Sequence, residues 1–159
     1  MASLNAGKNI IVDAILDWVA VRAEADLRRD VRILDVGACD GKWSDLIRDE
    51  YRWRREEMWQ PNIVLDACEI FKPNAARILD KYDNVFVCDI NYLEYPYRRY
   101  DIIIFGDVLE HMPVQDAQRA LAAAVDKAEK VVVGVPFEWP QDEIYGNPWE
   151  KHIQADLTR

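Results

Sequence analysis

Five short segments, each predominantly apolar and without polar alternation, are separated by amphipathic stretches along most of this chain. The apolar segments are residues 31–36, 62–69, 85–88, 100–105 and 130–135. The amphipathic stretches between them, which we predict to be helices, are residues 41–53, 73–82 and 113–128. Continuous apolar runs are typical of parallel strands buried on both faces. Their alternation with helices predicts an open, mostly parallel, doubly wound α/β sheet.

The N-terminal residues predict a further helix that packs on this sheet. Apolar residues repeat there at helical spacing, namely Ile11, Ile15, Trp18 and Val19. Asp13 and Asp17 interrupt the apolar run, which argues against a signal peptide or a membrane span. We therefore divide the chain into an N-terminal helical segment (1–29), a core (30–138) and a C-terminal loop (139–159).

Composition narrows the classes of function. The 159 residues include 29 Asp and Glu against 20 Lys and Arg, which gives a formal net charge of −9. An acidic chain argues against non-specific binding to nucleic acid, which needs basic surface. The arginines at 52–55 are followed directly by Glu56 and Glu57. We therefore interpret residues 52–62 as a solvated, charged loop inserted before the second strand.

The cysteines indicate a redox compartment, but the sequence leaves two roles open for their thiols. Cys39, Cys68 and Cys88 show no CxxC or Cys/His spacing, so the sequence predicts no metal site. A small, odd number of cysteines without a secretory signal indicates a reducing, cytoplasmic environment. Each cysteine lies at the carboxyl end of a predicted strand. They either pack as small apolar side chains or form a redox-sensitive wall of a ligand pocket.

Ligands of an open α/β sheet bind beyond the carboxyl ends of its strands. The segment LDVGACDG (34–41) follows the first predicted strand. A dinucleotide fingerprint, GxGxxG read from Gly37, would need glycine where Cys39 and Lys42 stand. The side chain of Cys39, at the second glycine position of the fingerprint, obstructs the approach of a pyrophosphate. This argues against an NAD(P)-binding oxidoreductase, which remains the weaker alternative.

The same segment resembles the first motif of the class I S-adenosylmethionine-dependent methyltransferases. That motif is an acid, one residue, glycine, three residues and glycine, and here Asp35, Gly37 and Gly41 supply it. Acids follow at the ends of the next two predicted strands, and GDVLEHMP (106–113) follows the fourth, in the family's order. The resemblance covers about residues 30–138. It implies S-adenosylmethionine as cofactor and S-adenosylhomocysteine as product.

The resemblance also implies roles for individual residues. Glu69 would accept hydrogen bonds from the ribose hydroxyls, and Asp89 would face the adenine amino group. An acidic strand end suits the positive sulfonium and ammonium groups of this cofactor. The cofactor-binding set that the resemblance implies is Asp35, Gly37, Ala38, Cys39, Gly41, Glu69, Ile70, Asp89, Ile90, Gly106, Asp107 and Val108.

Candidate catalytic and acceptor-binding residues follow the fourth and fifth strands. Methyl transfer needs a general base only if the acceptor must first lose a proton. His111 is the nearest candidate base, unless Glu110 and His111 only brace the turn before Pro113. The candidate acceptor-binding residues are Tyr145, Trp149 and His152. The alternative is a surface loop whose aromatic side chains pack on the core.

The end of the chain departs from the family pattern. The family's sheet has seven strands, but residues 136–159 contain no convincing strand pair. We therefore expect a truncated chain or a reduced fold that lacks the last two strands. A missing part, a second copy or a partner would then cover the edge of the fifth strand. The favoured function is methyl transfer to a small molecule, with no membrane association. The alternative is a non-catalytic scaffold or partner subunit.

Overall fold

A computed structural model describes residues 5–25, 30–57, 61–136 and 139–154. The helices in these ranges are α1 (Asn5–Ala25), α2 (Lys42–Glu57), α3 (Lys72–Arg77) and α4 (Val114–Lys127). The strands are β1 (Val31–Val36), β2 (Ile63–Cys68), β3 (Asn84–Phe86), β4 (Tyr100–Gly106) and β5 (Ala128–Gly134). Three short 3-10 helices cover Ile90–Tyr92, Leu109–His111 and Pro148–Glu150.

The five strands of the described residues form one sheet in the order β3-β2-β1-β4-β5. All four neighbouring pairs are parallel. The chain adds β2 and β3 on one side of β1 and then adds β4 and β5 on the other side. The gap between β1 and β4 is therefore the topological switch point, where such sheets bind ligands. The predicted open α/β sheet is confirmed.

Both faces of this sheet are covered, which explains the apolar sequences of the strands. Ile33 and Ile104 belong to a hydrophobic cluster shared with α1 and α2. Leu34 and Phe105 belong to a second cluster shared with α4. Successive side chains of a strand point to opposite faces, so a strand buried on both faces needs apolar residues at almost every position.

Helix α1 lays its predicted apolar stripe on the first of these clusters. Ile15 and Val19 are buried, while Ile11 and Trp18 are partly buried against the same core. Leu16, which the helical spacing also places on this stripe, is fully buried. Among the described residues, no helix is both long and apolar enough to cross a bilayer.

The charged segment that we interpreted as an inserted loop is helical as far as Glu57, where α2 ends. Arg54 donates to Glu50, four residues earlier, at 2.9 Å. It also pairs with Asp13 at 3.0 Å and with Asp17 at 2.6 Å, both on α1. The loop interpretation was wrong for residues 52–57. The pair with Glu50 stabilises the last turns of α2, and the pairs with Asp13 and Asp17 hold these turns against α1. Residues 58–60 lie outside the described ranges.

Helix α3 is shorter than its sequence pattern predicts, because tertiary hydrogen bonds replace its last turns. It ends at Arg77, and residues 78–82 form turns. Ser44 and Arg48 of α2 donate to the carbonyl of Lys81 at 2.6 and 3.0 Å. The hydroxyl of Tyr82 donates to Asp35 at the end of β1. The segment after α3 therefore serves the carboxyl edge of the sheet.

Candidate functional site

Three loops meet at the carboxyl edge of the sheet beside the switch point. The backbone N–H groups of Gly37, Glu69 and Asp107 donate to the last carbonyls of β2, β3 and β5, at 2.8, 2.9 and 2.8 Å. These bonds extend the sheet ladder by one residue beyond β1, β2 and β4. The loops that carry the predicted cofactor-binding residues therefore start at one edge of the sheet.

The loop after β1 is tightly wound. Gly37, Cys39 and Gly41 have φ values of 68°, 49° and 79°. A Cβ at Gly37 would lie 2.4 Å from Cγ2 of Val108, in the loop after β4, so this position needs glycine for its conformation and for the close approach. The left-handed conformation of Cys39 costs about 1 kcal/mol. Ala38, inside the turn, is buried.

Asp35 presents a buried carboxylate to this loop. Its side chain is fully buried. One oxygen accepts from Tyr82, and the other has no hydrogen-bond partner among the described residues. Burial raises the pKa of Asp35 to about 7, against the opposing influence of Tyr82 and the positive charge of Lys8. The second oxygen of Asp35 is therefore a suitable acceptor for a cationic ligand.

Glu69 ties the first two loops together. The residue is 4% exposed, and its two oxygens accept from the backbone N–H of Cys39 at 2.8 Å and of Phe71 at 2.7 Å. Burial raises its pKa, although these N–H groups act in the opposite direction. Ile70, the next residue, is half-buried. The carboxylate thus sits between the loops after β1 and β2, where the resemblance expects the ribose.

Asp89 lies beyond β3 rather than at its end. Its Oδ1 accepts from the backbone N–H of Asn91 at 2.8 Å and so caps the 3-10 helix Ile90–Tyr92. Ile90 is buried in the cluster that contains α4. The cap accounts for one carboxylate oxygen. Contact with an adenine amino group stays a prediction for Asp89, as does packing against the ring for Ile90.

The loop after β4 is packed against both N-terminal helices. A Cβ at Gly106 would lie 1.9 Å from Nε1 of Trp43, so the indole covers this glycine. Asp107 has a φ of 57°, and its Oδ2 lies 2.8 Å from Nζ of Lys8. Lys8 also lies 5.4 Å from the ring centroid of Trp43. Helix α1 therefore brings a cation to the acidic edge.

The three cysteines do gather near this edge. Sγ of Cys68 lies 3.8 Å from Sγ of Cys88. The thiol of Cys39 contacts Glu150 at 3.5 Å and Asn74 at 3.6 Å. Burial raises the pKa of Cys39 to about 12 and that of Cys68 well above its usual value. Thiols that stay protonated react slowly, which favours the packing interpretation over the redox-sensitive one.

His111, the candidate base, lies beside His152. Their ring centroids are 4.7 Å apart at an interplanar angle of 69°. Burial lowers the pKa of His111, and the neighbouring His152 acts in the same direction, against the hydrogen bond to the carbonyl of Lys151. Glu110 is 1% exposed, and burial raises its pKa to about 7. The chain thus brings two histidines and a buried acid together.

The C-terminal segment reaches this cluster through backbone hydrogen bonds. The N–H groups of Ile153 and Gln154 donate to the carbonyl of Glu110 at 2.9 and 3.0 Å. His152 is therefore held at the edge of the sheet. Tyr145, in contrast, is fully exposed and Trp149 is half-exposed. A role for these two residues in acceptor binding stays a prediction.

Sequence reasoning missed several residues of this edge. Lys8, Trp43, Tyr82 and Glu150 contact the predicted residues but carry no motif of their own. Their contacts join segments that are far apart in the sequence, so local spacing gives no signal for them. Glu110 stands in the predicted segment but was interpreted only as a brace. Its burial is visible only in the structure.

The opposite edge of the sheet carries a different feature. An open depression of about 410 Å³ lies between the residues that precede β4 and the end of α4. Its lining is mostly charged and consists of Arg98, Arg99, Val125, Asp126 and Lys127. Open α/β sheets bind their ligands beyond the carboxyl ends of the strands, whereas this depression lies at the amino end of β4. The predicted residues and this depression are therefore at different ends of the sheet.

Comparison with known proteins agrees with this geometry. The family described as a methyltransferase domain matches residues 11–150. No curated protein matches the sequence. The fold is similar to that of a SAM-dependent methyltransferase from Archaeoglobus fulgidus, at 18% sequence identity and a TM-score of 0.54. That similarity covers 78% of this chain and 54% of the other.

Two further solved structures resemble the fold. One is SAM-bound CalS10, an amino pentose methyltransferase from Micromonospora echinaspora, at 13% identity and a TM-score of 0.56, covering 86% of this chain and 53% of that one. The other is the small RNA methyltransferase HEN1, at 14% identity and a TM-score of 0.57, covering 82% and 17%. The chain thus spans about half or less of these proteins. At such identities the likeness shows the fold alone.

Proposed function

This chain belongs to the class I S-adenosylmethionine-dependent methyltransferases, and we propose that it transfers the methyl group of that cofactor to a small-molecule acceptor. The observation that carries the proposal is the position of Glu69. Its buried carboxylate joins the loops after β1 and β2 at the switch point. An acid at this place binds ribose hydroxyls in nucleotide folds generally.

The residues of the carboxyl edge fit a cationic nucleoside. The unpartnered oxygen of Asp35 supplies a buried acceptor near the loop Gly37–Gly41. We assign Glu69 to the ribose, and Asp89 with Ile90 to the adenine. Asp107 and its neighbours Gly106 and Val108 would line the methionine end. The negative charge of this edge favours a ligand that carries a sulfonium and an ammonium group.

The cofactor, when bound, supplies a methyl group on a positively charged sulfur, which is already activated for in-line displacement. The protein's main tasks are therefore to align the acceptor and to exclude water. We place acceptor activation at the cluster of Glu110, His111 and His152. Burial lowers the pKa of His111, which favours the neutral imidazole that proton removal requires.

The net charge of the chain, rather than the similarity of its fold to known proteins, supports a small-molecule acceptor. CalS10 acts on an amino pentose and HEN1 on small RNA, yet both resemble this chain equally well. The net charge of −9 disfavours a polyanionic acceptor such as RNA. Because the chain spans about half or less of these proteins, the acceptor contacts of the longer proteins are not transferred to it.

The first experiment separates the cofactors and then separates an enzyme from a scaffold. Calorimetry with S-adenosylmethionine, S-adenosylhomocysteine and NAD should show binding of the first two and none of the third. Transfer of a labelled methyl group to a panel of amines, hydroxyls and carboxylates then tests catalysis. Cofactor binding without transfer to any acceptor would favour the non-catalytic scaffold. NAD binding alone would overturn the proposal.

We also propose a partner at β5 and a reducing, cytoplasmic setting. Strand β5 is the last strand of the described sheet, and its Val133 is 46% exposed. An exposed apolar edge strand is a template for pairing with another chain. A monomeric mass by light scattering, with β5 exchanging its amide protons slowly, would contradict the proposed partner.

Three unpaired cysteines agree with a reducing compartment.

A further inference from the structure

Glu110 is a buried carboxylate that receives no hydrogen bond from any other residue in the described part of the chain. The residue is 1% exposed, and neither side-chain oxygen has a partner in another of the described residues. The nearest cationic candidate, Nε2 of His152, is 3.9 Å from Oε1, too far for a hydrogen bond. A buried acid in this state is costly, and natural proteins keep one where a ligand compensates it.

Two imidazoles face this carboxylate. The structure brings one ligand atom each of Glu110, His111 and His152 within 4.8 Å of one another. The side chain of His152 is 5% exposed, so water competes little for its nitrogen. A carboxylate with two imidazoles is a common set of ligands for divalent transition metals.

A backbone carbonyl faces Nδ1 of each histidine, and the backbone of Asp107 also interacts with the ring of His111. Nδ1 of His111 lies 3.2 Å from the carbonyl oxygen of Lys151, and Nδ1 of His152 is hydrogen-bonded to the carbonyl oxygen of Trp139. A carbonyl only accepts, so each Nδ1 carries the proton. In an imidazole protonated only at Nδ1, the lone pair is on Nε2. Metal-bound histidines are oriented in this way, by a backbone carbonyl on the other nitrogen.

The backbone fixes the three side chains relative to one another. The carbonyl of Glu110 accepts from Ile153 and Gln154, the residues that follow His152. The N–H of His152 donates to the carbonyl of Gln141 at 3.0 Å. Two segments from opposite ends of the α4–β5 unit are thus joined around the cluster. Such positioning lowers the cost of assembling a site.

We propose that Glu110, His111 and His152 bind a divalent first-row transition-metal ion through one carboxylate oxygen and two imidazole nitrogens. Three protein ligands leave at least one position of a four- to six-coordinate ion for water or a hydroxyl. Imidazole ligands favour Zn²⁺, Co²⁺ or Fe²⁺ over Mg²⁺ and Ca²⁺, which prefer oxygen. The position beside the methionine end of the cofactor pocket, which rests on the proposed function, suits a hydroxyl-bearing acceptor.

The test uses Co²⁺ with the full chain after chelation and removal of bound metal. Visible absorption should show one Co²⁺ per chain with bands of nitrogen and oxygen ligation, and Zn²⁺ should displace it. Glu110→Gln keeps the shape of the side chain and removes its charge. His111→Asn and His152→Asn keep a donor close to the position of Nδ1 and remove the ligating nitrogen. Each variant should bind Co²⁺ at least about a hundredfold more weakly.

Two controls make the outcome decisive. Glu143→Gln changes an exposed acid and should leave Co²⁺ affinity unchanged. Cys88→Ala removes one thiol of the Cys68–Cys88 pair and should also leave it unchanged. Absence of Co²⁺ and Zn²⁺ binding by the folded protein would overturn the proposal. Binding that the three variants do not weaken, or that shows thiolate-to-cobalt charge transfer, would overturn it as well.

Folding and the proposed function are monitored separately. Circular dichroism and thermal melting report whether each variant folds, and His152→Asn remains informative if Glu110→Gln does not. Metal binding is measured without S-adenosylmethionine, so the result tests the metal site even if the chain binds no cofactor. Conversely, a chain that binds S-adenosylmethionine but no metal keeps the proposed function and loses this inference.

Discussion

Nζ of Lys8 lies 2.8 Å from Oδ2 of Asp107 and 5.4 Å from the ring centroid of Trp43. Helix α1 is thereby joined to the loop after β4. Burial raises the pKa of the nearby carboxyl of Asp35, and the ammonium group opposes this rise. Lys8 therefore supplies positive charge at the edge where the family binds a cationic cofactor.

We expect Lys8→Met to favour the cationic form of the cofactor. S-adenosylmethionine carries a sulfonium, whereas the sulfur of S-adenosylhomocysteine is neutral, so removing a nearby positive charge helps the first ligand selectively. A change of ~1 kcal/mol would raise the affinity ratio of the two about threefold to tenfold. Calorimetry with both ligands measures this ratio. A structural change in α1 that weakens both ligands equally would leave the ratio unchanged. Lys127→Met, at the opposite edge, is the control. An unchanged ratio in Lys8→Met would contradict the electrostatic role.

The role of Glu69 predicts a loss of cofactor affinity in Glu69→Gln. The amide keeps one oxygen for a backbone N–H but loses the charge and one acceptor. We expect S-adenosylmethionine to bind at least about tenfold more weakly, because charge-assisted hydrogen bonds are about twice as strong as neutral ones. Calorimetry measures the affinity, and a thermal melt checks that the loops remain folded. Glu143→Gln is the matched control. Unchanged affinity would refute the assignment of Glu69 to the ribose.

The strands could be predicted from the sequence because burial on both faces imposes a mostly apolar pattern without polar alternation. The predicted strand 31–36 has the bounds of β1, and the predicted strand 100–105 is one residue shorter than β4. The ends of α2 and α3 could not be predicted in this way. Arg54 extends α2 through ion pairs with α1, and the carbonyl of Lys81 is bound by side chains of α2. Such tertiary contacts override local propensity.

The same limit applies to the site. Asp35 and Glu69 were predictable because acids at the ends of apolar strands have no packing role. Lys8 could not be found, because its partner Asp107 lies on a distant segment. The pairing of His111 with His152 depends on backbone hydrogen bonds between the loop after β4 and the C-terminal segment, which no local spacing records.

The raised pKa of Asp35 predicts a pH dependence of stability. Its value in the folded state, about 7, lies above the ordinary value of 3.8. Between these values the folded state binds more protons than the unfolded state, so the free energy of unfolding falls as the pH rises through that window. The contribution present at low pH and lost by pH 7 is at most about 4 kcal/mol.

Asp35→Asn should remove part of this dependence. Asn accepts the hydrogen bond from Tyr82 without a buried charge, so we expect higher stability than the parent near pH 7 and little difference near pH 4. Urea unfolding at both pH values measures the effect, with the exposed Asp49→Asn as control. Glu110, whose pKa is also raised to about 7 by burial, leaves a residual slope in the variant. Destabilisation of Asp35→Asn at pH 7 would contradict the prediction.

Gly37 and Gly146 provide a matched pair for the close approach of the loops after β1 and β4. Their φ values are 68° and 71°, so alanine carries the same backbone strain at both, about 1 kcal/mol. A Cβ at Gly37 would lie 2.4 Å from Cγ2 of Val108, whereas one at Gly146 meets no atom within 4 Å. Gly37→Ala should therefore destabilise the protein more than Gly146→Ala does, by about 1–3 kcal/mol.

The excess cost of Gly37→Ala should be coupled to Val108. In the double variant with Val108→Ala the clashing methyl group is absent, so the two free-energy changes should be less than additive. Denaturant unfolding of both single variants and the double variant gives the coupling energy. Gly37→Ala should also weaken S-adenosylmethionine binding, because moving either loop displaces the pocket, while Gly146→Ala should not. Equal costs for the two glycine variants would show that the contact with Val108 does not set the shape of this loop.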